Sequence, residues 1–264
     1  MYPIIRIFDK AIGTYGLCML IGVFLAGFLA VRRGKRYGLA MEDILIVGAT
    51  AIGFALLGGG LLYVLVSYPM DVIFARILAG DFAIFTSGIV FYGGLIGGIG
   101  GALLGARIAK RPVKDLIVSI VPFIPLGHAI GRIGCLMAGC CHGMEYTGPL
   151  AVYYPHSVLG LSPEQGYFPV QPLESLLNMV ICGLLLLVQK RKKLGSELLF
   201  VYLGLYAISR FILEFFRGDE GRGLYFGVSV SQWISMGLLL VCVVAFVILS
   251  RRNKMKAENN TAEG

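Results

Sequence analysis

Charged side chains are scarce in this chain: they make up 14% of its 264 residues, against 57% hydrophobic. A soluble globular chain carries about a quarter charged residues, so a soluble domain is the wrong class. Lys and Arg are absent altogether from Ile133 to Gln189. Histidine occurs three times and tryptophan once. The six cysteines lack the spacing of a disulfide framework. Cys18, Cys182 and Cys242 fall inside apolar runs, where a cysteine is most simply a small packing residue. The first long apolar run, Tyr15 to Val31, has no basic leader and no small-residue cleavage site, and Arg32 and Arg33 follow it directly. It reads as a retained helix and not a cleaved signal. The alternation of a membrane β-barrel is missing, and no inverted repeat marks the halves of a transporter.

What is present is apolar sequence in long runs. Seven of them, at about 14–32, 44–66, 84–106, 115–138, 172–188, 197–216 and 231–249, approach the roughly 20 residues that cross a bilayer. Each must satisfy its backbone hydrogen bonds internally, which predicts helices. The expectation is an all-α integral membrane protein with seven transmembrane helices. Residues 1–253 then form a single seven-helix membrane domain with an external loop at about 139–171. Residues 254–264 form a polar cytoplasmic tail, too polar to pack and expected to be disordered.

Loop charge orients the bundle. Arg32, Arg33, Lys35 and Arg36 follow the first run; Arg107, Lys110, Arg111 and Lys114 follow the third. Lys190, Arg191, Lys192 and Lys193 follow the fifth; Arg251, Arg252, Lys254 and Lys256 follow the seventh. All fall on one side. The other side receives Arg6, Lys10, Arg76, Arg217 and Arg222. The positive-inside rule puts the N-terminus outside and the C-terminus in the cytoplasm. It also accounts for the net charge of +8 without nucleic acid.

The chemistry concentrates at Gly127 to Gly143, GHAIGRIGCLMAGCCHG. An arginine as deep in apolar sequence as Arg132 marks a bundle interior or a wet cavity, although snorkelling to the headgroups is the simpler alternative. Tyr206, Arg210 and Glu214 repeat every four residues and share one helix face. At about 1.5 Å per residue, Tyr15, Tyr92, Arg132, Glu174 and the Tyr206 face all fall in the outer half of their helices. Two arginines at that depth suit a lipid phosphate, which a planar guanidinium binds bidentately. Gly93, Gly97, Gly101 and Gly105 make one smooth helix face, read first as close helix packing. Cys135, Cys140, Cys141 and His142 offer soft ligands, but C-x4-C-C-H is not a standard zinc spacing. Packing around a turn is the plainer reading.

Several segments, in order along the chain, resemble one family. GRIGCLMAGCCHG at 131–143 resembles the prolipoprotein diacylglyceryl transferase signature, roughly G-R-I-G-N-F-x-N-x-E-x-x-G. YAISRFILEFFR at 206–217 is similar to that family's Y-x-x-x-R-F-x-x-E-x-x-R segment. TYGLCMLIG at 14–22, SGIVFYGGLIGG at 87–98 and QPLESL at 171–176 resemble its first-helix Y-G-L, S-F-H-G-G-L and Q-L-Y-E segments. The resemblance implies an enzyme of the bacterial inner membrane, without a cofactor, working at the outer leaflet. It would move a diacylglyceryl group from phosphatidylglycerol to the lipobox cysteine thiol of a prolipoprotein signal peptide, releasing glycerol 1-phosphate. By position, Arg132 and Arg210 would hold the phosphate, with Tyr206 and Tyr15 orienting it. Glu214 would orient Arg210, and Gly143 would close the signature. Glu174, Cys135 and His128 would line the substrate site. The sequence departs from the pattern where the family's histidine, a proposed base, is Tyr92. Its asparagines are Cys135 and Ala138, and its glutamate is Cys140. His128 and His142 are the candidate replacement bases. A membrane thiol-redox or metal-handling protein centred on Cys135, Cys140, Cys141 and His142 stands as the alternative.

Overall fold

The computed structural model describes residues 2–7, 10–86, 88–192, 194–218 and 224–262. Ser87, Lys193 and Arg222, named above, lie outside them. Helices dominate. Six of them, Thr14–Tyr37, Met41–Ser67, Val113–Ala138, Val170–Arg191, Glu197–Phe216 and Val230–Leu249, are long and apolar enough to cross a membrane among the described residues. The third expected run takes another form: a 3-10 turn at Phe82–Thr86 precedes a shorter helix, α4, at Phe91–Ile108. The chain divides into two compact units: Met1–Leu29 with Ile120–Gly264, and Ala30–Ser119.

The 30–119 unit is built on α2 (Met41–Ser67) and α4. Their contact explains the glycine repeat. A Cβ on Gly93, Gly97 or Gly101 would run into the backbone carbonyls of Gly58, Phe54 and Thr50 respectively, and one on Gly105 would meet Thr50. Only glycine permits so close an approach. Asp43 fixes the start of α2: its Oδ2 accepts from the Ala40 amide at 2.7 Å and pairs with Arg111 Nε at 2.9 Å. At the other end of α2, Val64 packs with Ile73 of a short helix, α3 (Met70–Leu78), and with Ile84.

The other unit opens with a two-stranded antiparallel hairpin, β1 (Ile4–Ile7) and β2 (Lys10–Gly13), in register Ile4 with Gly13. It leads directly into α1 (Thr14–Gly34). Helix α6 (Ile124–Ala138) follows α5 (Val113–Ile120) through a 3-10 turn at Val121–Phe123. Pro122 and Pro125 each lack an amide donor, which accounts for the break in the expected 115–138 run. Where α1 crosses α6, a Cβ on Gly134 would meet Cys18 and Tyr15, and one on Gly131 would meet Met19. Helices α7 (Val170–Lys192) and α8 (Glu197–Leu213) complete the site, and a second small hairpin, β3 (Leu224–Tyr225) and β4 (Val228–Ser229), enters α9 (Val230–Ala262). Helix α9 runs on to Ala262, so much of the polar tail expected to be disordered continues the apolar helix before it.

Candidate functional site

The site is built around a carboxylate. Glu174 stands in the first turn of α7 and is 2% exposed. Arg132 of α6 places Nε 3.0 Å from its Oε1, and Arg217 places Nη1 3.8 Å from its Oε2. His128, one turn before Arg132, puts Nε2 3.7 Å from Oε1 and accepts a hydrogen bond from Arg132 Nε at 3.3 Å. One carboxylate therefore holds two guanidiniums and an imidazole in a buried setting, where a lone charge would be costly and pairing is required.

A second ion pair lies on α8. Arg210 Nη2 is 2.7 Å from Glu214 Oε2, one turn on, and also donates to Ser231 Oγ of α9 at 3.3 Å. Arg210 Nη1 is buried and finds no acceptor among the described residues. Tyr206, one turn before Arg210, packs its ring 5.5 Å from His128 and 6.3 Å from Tyr202. The expected face of Tyr206, Arg210 and Glu214 is thus turned toward α6 and α9.

The chain after α6 is folded and not a loose loop. Gly139 caps α6 in the left-handed conformation (φ 70°), where a Cβ would also crowd Ser157. Ser157 Oγ donates to the Gly139 carbonyl at 2.7 Å, and Gln171 Nε2 donates to the Cys140 carbonyl at 2.9 Å. Gln171 Oε1 accepts from Tyr154, which is fully buried. That burial pushes the Tyr154 phenol up to about 12. Gly143 forms a bridge with Arg217 and has no room for a Cβ beside Phe168. Its size thereby sets where Arg217 leaves the backbone. The ring of Phe168 stacks on Phe216 at 4.8 Å.

Of the residues singled out in the sequence, His128, Arg132, Glu174 and Tyr206 are brought together. Arg210 and Glu214 stand on the same face as Tyr206. Tyr15, at the start of α1, lays its backbone against Gly134 and keeps its ring half exposed. Cys135 is buried with its sulfur close to those of Cys140 and Cys141. His142 is turned elsewhere: its Nδ1 lies 2.9 Å from the Gly143 carbonyl and its ring packs on Tyr167. Tyr92 sits in the 30–119 unit, in the first turn of α4, and is exposed. Sequence reasoning missed the partnership of Arg217 with Glu174. It counted Arg217 only as a loop charge, although Y-A-I-S-R-F-I-L-E-F-F-R ends on it.

Helices of membrane-crossing length and composition around a buried interior of three arginines and two glutamates define the class as a helical membrane protein with a charged interior. Comparison with known proteins narrows the class. The family model described as prolipoprotein diacylglyceryl transferase matches residues 3–248. Phosphatidylglycerol–prolipoprotein diacylglyceryl transferase 2 of Clostridium perfringens is 30% identical over 98% of this chain and 97% of its own length. The phosphatidylglycerol–prolipoprotein diacylglyceryl transferase of Mannheimia succiniciproducens is 32% identical, covering 93% of this chain and 91% of its own. The chain belongs to the prolipoprotein diacylglyceryl transferase family.

Proposed function

We propose that this chain transfers the diacylglyceryl group of phosphatidylglycerol to the cysteine thiol of a prolipoprotein lipobox, and that it does so at the outer leaflet of a bacterial cytoplasmic membrane. Family membership supports the reaction. The observation that carries the site is the pair of buried guanidiniums, Arg132 and Arg210, on helices whose facing residues His128 and Tyr206 are in ring contact. Arg210 keeps a buried nitrogen without an acceptor, and a phosphate oxygen is the acceptor such a donor suits.

The reaction asks for charge stabilisation at a leaving phosphate. The thiol sulfur attacks the glycerol carbon and forms the C–S bond. The C–O bond to phosphate breaks, and its electron pair stays on glycerol 1-phosphate. Arg132 and Arg210 hold that charge as it develops. Glu214 fixes Arg210, and Glu174 with Arg217 fixes Arg132 between turnovers. The thiol proton needs a base. His128 fits this role better than Tyr92, because a phenol near pKa 10 is a poor base at neutral pH. A phosphate that draws Arg132 Nε away from His128 Nε2 frees that nitrogen for the proton, and Glu174 then stabilises the imidazolium. Tyr206 and Tyr15 orient the lipid headgroup, and Gly143 and Cys135 border the path.

Seven spans belong to this reading, with α4 as the seventh, and so does a lipobox peptide entering beneath the folded 139–169 segment. The test is direct. Purified protein is incubated with phosphatidylglycerol labelled in its acyl chains and a peptide carrying a lipobox cysteine. Labelled thioether and free glycerol 1-phosphate should form together. Folded protein that yields neither, with phosphatidylglycerol in excess, would remove the reading.

A further inference from the structure

Cys140 and Cys141 have no part in the proposed transfer and Cys135 only borders its path, yet the three sulfurs all lie within 4.8 Å of one another. None is disulfide-bonded. They come from two backbone pieces, the last turn of α6 and the turn after it. That turn is held from outside by the bonds to the Gly139 and Cys140 carbonyls described above. Cys140 also returns its amide to the Cys135 carbonyl at 3.1 Å. Cys141 takes a left-handed backbone (φ 54°), uncommon for a residue with a side chain. Both consecutive cysteines reach the sulfur of Cys135. Packing alone does not require it, since a small residue in an ordinary turn fills space as well.

We propose that these three thiols form a binding site for a thiophilic d10 cation, Zn2+ or Cu+. Three sulfurs at about 2.3 Å from a tetrahedral zinc stand about 3.8 Å apart, so the cluster needs to tighten by no more than about 1 Å. Soft thiolate donors select these ions over calcium or magnesium. Cys140 and Cys141 are half-buried while Cys135 is buried, so the ion has an approach and an enclosed side. The ion takes thiolates, so each protonated thiol releases a proton to solvent as its metal–sulfur bond forms. Affinity therefore rises with pH. His142 is not among the ligands, because it stands outside the group of ligand atoms that lie within 4.8 Å of one another. The site does not rest on the transfer reading, and either stands if the other fails.

The experiment uses the full chain in detergent, reduced and stripped of metal, then titrated with Zn2+ alone or with Cu+ alone. One equivalent of one ion per chain is expected, and the two titrations identify which. The C140S/C141S double variant should bind at least tenfold more weakly, while C18A/C182A/C242A should bind as the parent does. Because a double variant can misfold, the parent protein supplies a second readout. Its two half-buried thiols should alkylate quickly without metal and at least tenfold more slowly with it. Substoichiometric binding by folded parent, undiminished binding by the double variant, or alkylation unaffected by metal would each overturn the site. So would a disulfide among these three cysteines in chain isolated under air, accompanied by no metal binding after reduction.

Discussion

At the scale of single residues, the arginines decide between two uses of positive charge in a membrane. An arginine that snorkels needs only reach and charge, which lysine also has. An arginine that grips a phosphate needs its planar fork. Arg132→Lys and Arg210→Lys should therefore each lose transfer activity by about two to three decades, which corresponds to roughly 2–4 kcal/mol of lost hydrogen bonding in a desolvated site. The measurement is initial rate on labelled phosphatidylglycerol, with thermal melting in detergent as the control for folding. Parental rates in both variants would rule out the phosphate clamp. Glu174 makes a different prediction. With Arg132 and Arg217 both paired to it, Glu174→Gln removes the charge that they share. Breaking a buried pair from one side costs about 3–5 kcal/mol, so the variant should melt well below the parent. Melting unchanged from the parent would mean that the two arginines find their counter-charge elsewhere. The residue types at this site were legible because arginine and glutamate are conspicuous in apolar sequence. Their pairing was not legible. Glu174 and Arg217 are far apart in the chain, and the bridge of Gly143 with Arg217, with the stack of Phe168 on Phe216, brings the second guanidinium back.

Elements show the same division. The helices could be read from apolar run length, and the packing face of α4 from its glycine period. The contact with α2 bears out close packing for that face. The prediction that follows is specific to position. Gly97→Ala and Gly101→Ala place a methyl into the carbonyls of Phe54 and Thr50, whereas Gly100→Ala meets nothing within 4 Å. The first two should lower the melting temperature in detergent. The third should leave it unchanged or raise it slightly, since alanine favours a helix over glycine by about 1 kcal/mol. Equal effects at all three positions would mean that the glycines are not there for the α2 contact. The short hairpins at 4–13 and 224–229 were not legible. Strand β2 of the first is exposed on both faces, so no burial pattern of period two is written into it. The break between α5 and α6 was legible in principle from Pro122 and Pro125. It was masked by the apolar run that continues through both.

For the whole molecule, the argument turns on which side of the membrane the site faces. Under the proposed function, Arg132 and Arg210, toward the C-terminal ends of α6 and α8, serve a lipoprotein substrate only if those ends face away from the cytoplasm. Two features bear on this. Basic residues cluster at the C-terminal ends of α1, α4 and α7 and in α9, at Arg32 and Arg33, Arg107 and Lys110, Lys190 and Arg191, and Arg251 and Arg252. The folded segment between α6 and α7 has neither Lys nor Arg. Loops rich in Lys and Arg resist translocation, whereas one without them crosses freely. A reporter fused after Lys256 should then read cytoplasmic, and one inserted between Met144 and Phe168 should read external. The two positions are separated by α7, α8 and α9, three crossings, so they must report opposite sides whichever way the bundle is inserted. Agreement between them would break the span assignment. Opposite sides with the signs exchanged would keep the spans and invert the bundle. That inversion would put Arg132 and Arg210 at the inner leaflet, where they could reach a phospholipid headgroup but not a lipobox exported across the membrane.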